Sequence, residues 1–276
     1  MQNQTTLARR ISYTGIGLHS GQDVTITLCP APAQTGIVFV RTDLPGAPQV
    51  RACASYVTNT MRATTLENGP AKVFTVEHLL AALATLEVDN CFVEINAVEP
   101  PVADGSSIVF VRLIEEAGKQ ELAVPRQITW VTREHTVRVD DKFITILPYD
   151  GLRVTFTSVN PHPALGVQFG DYEINPATFT EQIAPARTIG FMHEVKALQE
   201  KGLALGGSMD NAVVYEDGKA LNPLRFPDEL VRHKILDVLG DLALAGQLRG
   251  HIIAVKSGHA LNTALARDIL VSQNRL

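Results

Sequence analysis

The stretch ELVRHKILDVLGDL, residues 229–242, carries apolar residues at helical spacing together with His233, Asp237 and Asp241 at successive four-residue steps. Residues one turn apart share a helix face, so this segment reads as an amphipathic helix with an imidazole and two carboxylates on one side. Its counterpart lies earlier in the chain. An offset of 155 residues lays VEHLLAALATL (76–86) on residues 231–241, and His78 falls on His233. The same offset lays VADGSS (102–107) on SGHALN (257–262), so that Asp104 falls on His259. Two such matches in register point to an internal duplication: two similar α+β domains, residues 1–123 and 124–276, joined near QELAVPRQ.

The segments around the two helices repeat one grammar. QDVTITLCP (22–30) and TGIVFVRTD (35–43) alternate with period two, as half-buried strands do. Val76, Leu79, Leu80, Leu83 and Leu86 then form a helical stripe, with Thr75 as its expected N-cap and Glu77 in the favourable first turn. CFVEINAVE reads as a strand, followed by a helix that stops at Gly118. In the second half FITILPYDGLRVTFTSV supplies strands and residues 226–246 a helix, with Pro227 in its first turn and Gly246 at its end. GHIIAVKSG and HALNTALARDILV close the chain as strand and helix. Between strands and helix this half carries extra sequence, near 185–215, that reads as an inserted helix, a Gly turn and a Val-rich strand.

Composition narrows the function classes. With 276 residues, 45% of them hydrophobic, the chain can bury a large core, and a net charge of −5 argues against nucleic acid as a partner. MQNQTTLARRIS lacks the apolar region of a signal peptide, and no apolar run approaches the roughly 18 residues of a membrane span, so a cytoplasmic protein is expected. Cys29, Cys53 and Cys91 form no C-x-x-C pair and read as reduced, mostly buried thiols. His135, His193 and His251 have no evident partners and read as surface groups.

His233 and Asp237 offer one nitrogen and one oxygen to a common ion. A hydrolytic zinc site usually has three protein ligands and one open position. His78, at the equivalent point of the other half, is the natural third, and the adjacent Glu77 places a carboxylate where a general base would stand. The bland reading stands beside this one: a helix His among apolar residues is more often structural, and an Asp four residues on is often a solvated charge.

GIGLHSG (15–21), TVEHLLAAL (75–83), ARTIGF (186–191), ALGGSMDNAVV (204–214), LRFPDELVRHKILDVLGDL (224–242) and KSGHALN (256–262) occur here in one order. Together they resemble the UDP-3-O-acyl-N-acetylglucosamine deacetylase family, which acts early in lipid A biosynthesis of Gram-negative bacteria. The resemblance implies a layered sandwich of two α+β domains with the site at their interface, one catalytic Zn2+, and hydrolysis of the N-acetyl group of a UDP-linked acylated N-acetylglucosamine. Carried over by position, it implies His78, His233 and Asp237 as metal ligands and Glu77 as general base. It makes His259 the catalytic acid with Asp241 as its partner, Thr188 a hydroxyl near the metal, and Lys234 a substrate-contacting cation. The inserted segment would shape an apolar passage for the acyl chain, lined by Phe191, Leu198, Leu203 and Ala204, or simply pack as core. Met61 is a further substrate-side candidate, and His19 either another or mere decoration of a Gly turn.

Two departures concern the uridine end: Ile189 stands where the family commonly has an aromatic, and Asn160 and Pro161 stand where another is common. Two alternatives therefore stay open, a zinc deacetylase for a different acylated amino sugar and a non-catalytic sugar-nucleotide binding module. A monomer is compatible with the sequence.

Overall fold

The computed structural model describes residues 2–275. The first half runs β1 (Asn3–Leu7), β2 (Ile11–Ile16), β3 (Asp23–Pro30), β4 (Ile37–Arg41) and β5 (Gln49–Arg51), then the small ribbon β6 (Val57–Asn59), β7 (Thr65–Asn68) and β8 (Ala71–Val73). It continues with helix α1 (Glu77–Thr85), β9 (Cys91–Ile95), α2 (Ile108–Ala117) and β10 (Lys119–Pro125). The second half runs β11 (Ile128–Trp130), β12 (His135–Val139), β13 (Lys142–Leu147), β14 (Leu152–Val159) and β15 (Val167–Glu173), followed by the single turn α3 (Pro176–Thr178). Then come β16 (Ile189–Phe191), α4 (Met192–Glu200), β17 (Val213–Glu216), β18 (Lys219–Ala220), α5 (Glu229–Leu242), β19 (Gln247–Val255) and α6 (His259–Ser272).

The larger sheets share one topology. The first is ordered β2-β3-β9-β4-β5 and the second β12-β13-β19-β14-β15. In each, the late strand enters the middle, antiparallel to one hairpin and parallel to the other: β9 pairs antiparallel with β3 and parallel with β4, as β19 does with β13 and β14. The mixed α+β class expected from the sequence is the class observed. Strand β10 closes back on β1, so the main-chain pairing of the first half runs through Pro125.

Helix α1 buries nearly every residue, including Glu77 and His78, and α5 buries twelve of its fourteen. A helix buried all round needs neighbours on every side, and these two supply one another while α5 also lies on β14 and β15. One continuous core takes in Ile26 and Phe39 of the first sheet, Ile144 and Phe156 of the second, and both helices. The approach of α1 to α5 is set by Gly240, where a Cβ would lie 2.0 Å from the Glu77 carbonyl oxygen. Only glycine lets the two backbones pass this closely.

Four local expectations are corrected. Thr75 does not cap α1: it has φ +54, and its hydroxyl donates to Glu99 (3.1 Å), leaving Val76 at the cap position without a side-chain bond. Pro227 precedes α5, whose cap residue is Asp228. His135 is buried and bonds Asp268 through Nδ1 at 2.6 Å, tying β12 to α6. His251 Nε2 pairs with Thr155 Oγ1 at 2.8 Å, so neither of these histidines lacks a partner. His193 is exposed, near the Phe191 ring. The cysteines are free, with Cys29 and Cys91 buried. No helix among the described residues is long and apolar enough to cross a membrane.

Candidate active site

Three ligand atoms converge where α1 meets α5. One from each of His78, His233 and Asp237 lies within 4.8 Å of the others, and all three residues are buried. Asp237 Oδ1 is 3.4 Å from His233 Nε2 and 3.8 Å from His78 Nε2. Ligands about 2.0–2.1 Å from a tetrahedral ion stand roughly 3.3 Å apart, so this spacing suits a zinc-sized cation after slight contraction. The imidazole rings meet edge to face, with centroids 5.0 Å apart.

The partners of these residues leave the converging atoms free. His233 Nδ1 bonds the Ala186 carbonyl oxygen (3.1 Å), which assigns the proton to Nδ1 and the lone pair to Nε2. Lys234 donates to Asp237 Oδ2 (2.8 Å), and Oδ1 is left as the only buried side-chain nitrogen or oxygen among the described residues with no hydrogen-bond partner. A buried, unpaired carboxylate oxygen is costly unless a cation or proton meets it. Burial pushes the Asp237 carboxyl up, but Lys234 and His233 outweigh it and hold the group far below the usual carboxylate range, so a proton is not what it awaits. Burial, with His233 adding to it, drops His78 to about 3, and burial also lowers His233. Two neutral imidazoles and a carboxylate are the protonation states a metal requires.

A second group adjoins this one. Glu77 Oε1 lies 4.0 Å from His259 Nε2, and Asp241 Oδ2 is 2.9 Å from His259 Nδ1. Asp241 is fully buried and accepts also from Asn262 Nδ2 (2.9 Å) and Thr64 Oγ1 (2.5 Å). Thr64 N–H donates in turn to Glu77 Oε2 (3.1 Å). Burial raises Glu77 to about 7, with His259 opposing that and Asp241 and Asp237 adding to it. Burial would lower His259, yet the carboxylates of Asp241 and Glu77 overcome it and raise the imidazole to about 10. A carboxylate able to take a proton near neutrality thus faces an imidazolium able to give one, the pairing expected of a general base and a general acid.

Both groups border a cavity of about 1190 Å3 whose wall includes Thr188, His233, Lys234 and His259. This exceeds the 300–1,000 Å3 typical of small-ligand sites and suits a long ligand. Phe191, Leu198, Ala204 and His19 line it, whereas Leu203 does not. Met61 is 70% exposed and outside the wall, although Thr60 and Arg62 on either side belong to it. His19 is no loop decoration. It is buried, its Nδ1 accepts the Ala204 N–H (3.3 Å), and Leu205 and Gly206 donate to the carbonyls of His19 and Leu18, docking the insertion on the first half. Glu99 holds that turn by accepting from the N–H groups of His19 and Ser20.

Sequence reasoning missed Thr64, Asn262 and Glu99, together with the cavity cations Lys142 and Lys256. Asn262 had a signal, since it ends the SGHALN segment that the duplication singled out, three residues along the helix from His259. Thr64 and Glu99 had none, because their roles arise from contacts across 177 and 80 residues of chain.

A family model described as UDP-3-O-acyl N-acetylglycosamine deacetylase matches residues 4–271. A UDP-3-O-acyl-N-acetylglucosamine deacetylase of Marinobacter nauticus is 45% identical over 279 residues, covering 99% of this chain and 92% of that protein. The protein of the same description from Anaeromyxobacter sp. is 47% identical over 97% of this chain and 88% of its own length. A third, from Pseudomonas entomophila, is 46% identical over 98% of this chain and 91% of its own.

Proposed function

Because the chain belongs to the UDP-3-O-acyl N-acetylglycosamine deacetylase family, we propose that it hydrolyses the N-acetyl group of a UDP-linked 3-O-acyl-N-acetylglucosamine, releasing acetate and the free amine, as an early step of lipid A biosynthesis in the cytoplasm of a Gram-negative bacterium. The observation that carries the reading is Asp237 Oδ1, buried and unpartnered beside two neutral imidazoles on a cavity large enough for an acylated sugar nucleotide. His78, His233 and Asp237 would hold the ion, and two nitrogens with one carboxylate oxygen suit zinc. When bound, the cation supplies Lewis acidity, polarising a carbonyl and acidifying water.

The remaining chemistry belongs to side chains. Glu77 takes a proton from the attacking water, which its elevated pKa equips it to do. Thr188, in the wall of the same cavity as His233, offers a hydroxyl to the negative charge that develops on the acetyl oxygen. His259, kept cationic by Asp241, gives a proton to the leaving nitrogen as the carbon–nitrogen bond breaks. Lys234 neutralises Asp237 and borders the cavity, while Lys142 supplies a cation fit for a diphosphate, with Lys256 and Arg62 nearby in the wall as ion pairs with Asp141 and Glu194. Phe191, Leu198 and Ala204 supply apolar wall for the acyl chain. The repeated strand order supports two domains of common origin, with the site on their helix–helix seam.

Ile189, Asn160 and Pro161 all lie in the cavity wall, which favours, as a second reading, an acylated amino sugar recognised differently at its nucleotide end. Acetate release and metal content, measured on one purified sample with nucleotide-linked and simple N-acetyl sugars, test both readings. Wild type should hold about one zinc per chain by the ligand count and release acetate. His78→Ala should lose both signals, and Glu77→Gln should keep the metal while activity falls about 10²- to 10⁴-fold. Ligand binding with no acetate release would leave the binding-module alternative standing.

A further inference from the structure

We propose that Thr64 is a positioning residue that locks the general base of one half of the chain to the acid pair of the other, an inference that rests on the deacetylase reading above. Thr64 lies in the turn between β6 and β7 and is wholly buried. Its two polar groups go to the two different parts of the machinery: the backbone N–H to Glu77 Oε2 (3.1 Å) and the hydroxyl to Asp241 Oδ1 (2.5 Å). Of the three donors that Asp241 meets among the described residues, His259 and Asn262 belong to the second half and share Oδ2; Thr64 alone reaches across from the first half, and takes Oδ1.

This arrangement has a mechanical consequence. A carboxylate bonded through one oxygen can rotate about its Cβ–Cγ axis, and a His hydrogen-bonded to it would follow. With Oδ1 pinned by Thr64 and Oδ2 by His259 and Asn262, the plane of Asp241 is fixed, and with it the ring that points Nε2 toward Glu77 4.0 Å away. Base and acid must reach two atoms attached to one carbonyl carbon in a single reaction, so their separation has to hold within a fraction of an ångström. Glu77 sits on α1 and Asp241 on α5, so no local backbone sets that separation. The close backbone contact of Gly240 with Glu77 fixes the helices, and Thr64 ties the two side chains to each other with one residue whose β-branched side chain has few rotamers in which to lose the bond.

The test compares Thr64→Val, which keeps shape and backbone N–H but removes the hydroxyl, with Thr64→Ser, which keeps both bonds. For the metal-loaded enzyme, Thr64→Val should lower kcat about 10- to 100-fold, the range typical for residues that orient a catalytic group, with KM and metal content unchanged. Thr64→Ser should recover most of the loss. In an Asp241→Asn background the Val substitution should cost nothing further, since the bond it removes acts through Asp241. The His259 Nδ1–H resonance should shift in Thr64→Val and return in Thr64→Ser. Wild-type kcat in Thr64→Val, losses that add in full to those of Asp241→Asn, or an unmoved resonance would each overturn the proposal. Wild type without acetate release would instead sink the deacetylase reading, and the resonance would then decide Thr64 by itself.

Discussion

Asp237 and Asp241 lie one turn apart on α5, and their surroundings give them opposite tasks. In the proposed reading Asp237 keeps one oxygen bare for a cation, with Lys234 on the other, whereas Asp241 has both oxygens engaged and would serve to charge His259. The pH dependence follows from the sign of each shift. In the proposed mechanism activity requires Glu77 without its proton and His259 with one, so kcat/KM should rise as Glu77 deprotonates and fall as His259 does. Glu77 stands near 7 and His259 near 10, and a bound cation moves both limbs to lower pH because positive charge favours the carboxylate and disfavours the imidazolium. Asp241 is the leading influence raising His259 against burial. In Asp241→Asn the falling limb should therefore move to lower pH while the rising limb stays or shifts slightly down, since Asp241 also raises Glu77. A pH profile of kcat/KM checks this; a falling limb that stays in place would remove His259 as the acid.

The crossing of α1 and α5 decides whether these residues meet. An alanine in a helix interior normally gains about 1 kcal/mol over glycine. At Gly240 the sign reverses, because the new Cβ would sit 2.0 Å from the Glu77 carbonyl, a backbone atom that cannot turn aside. Gly240→Ala should push the helices apart and destabilise the fold by about 1–3 kcal/mol, with lower metal occupancy because His78 and His233 separate. Denaturant melts with metal analysis on the same protein read both effects, and a stabilised variant with full metal would show that the helices approach less closely than described. The insertion is held in a similar way: Gly206 lies so near the Gly17 carbonyl that a Cβ would come within 2.2 Å of it. The turn bearing His19 and the segment bearing Ala204 are thus one unit of the cavity wall.

At the scale of the whole molecule, the two sheets and the helices between them form one core, and the three candidate ligand residues come from both halves. A cation held there binds only the folded state, so metal and stability are linked. At a free zinc concentration one hundred times its Kd the fold should gain about 2.7 kcal/mol. Thermal melts of chelator-stripped protein titrated with zinc should rise accordingly, and His78→Ala should show no such rise. Melting temperatures indifferent to zinc in the wild type would count against a metal seated between α1 and α5.

The sequence by itself determined the pieces that repeat or obey local periodicity. The α+β class, the helical turn that sets His233 beside Asp237, and the family motifs are properties of neighbours along the chain, and the likeness of segments 155 residues apart is read from the same local patterns. Residues that act through distant partners were decided by the tertiary structure alone. Thr75 has the chemistry of a cap but spends its hydroxyl on Glu99, and His135, read as a surface group, is buried where β12 packs on α6 and bonds the exposed Asp268. Position in its segment points to Met61, yet its neighbours Thr60 and Arg62 line the cavity and Thr64 reaches the carboxylates. The physical reason is common to all of these. Periodicity records which way a side chain faces relative to its own element, whereas a hydrogen bond across 177 residues depends on where a second element has been packed.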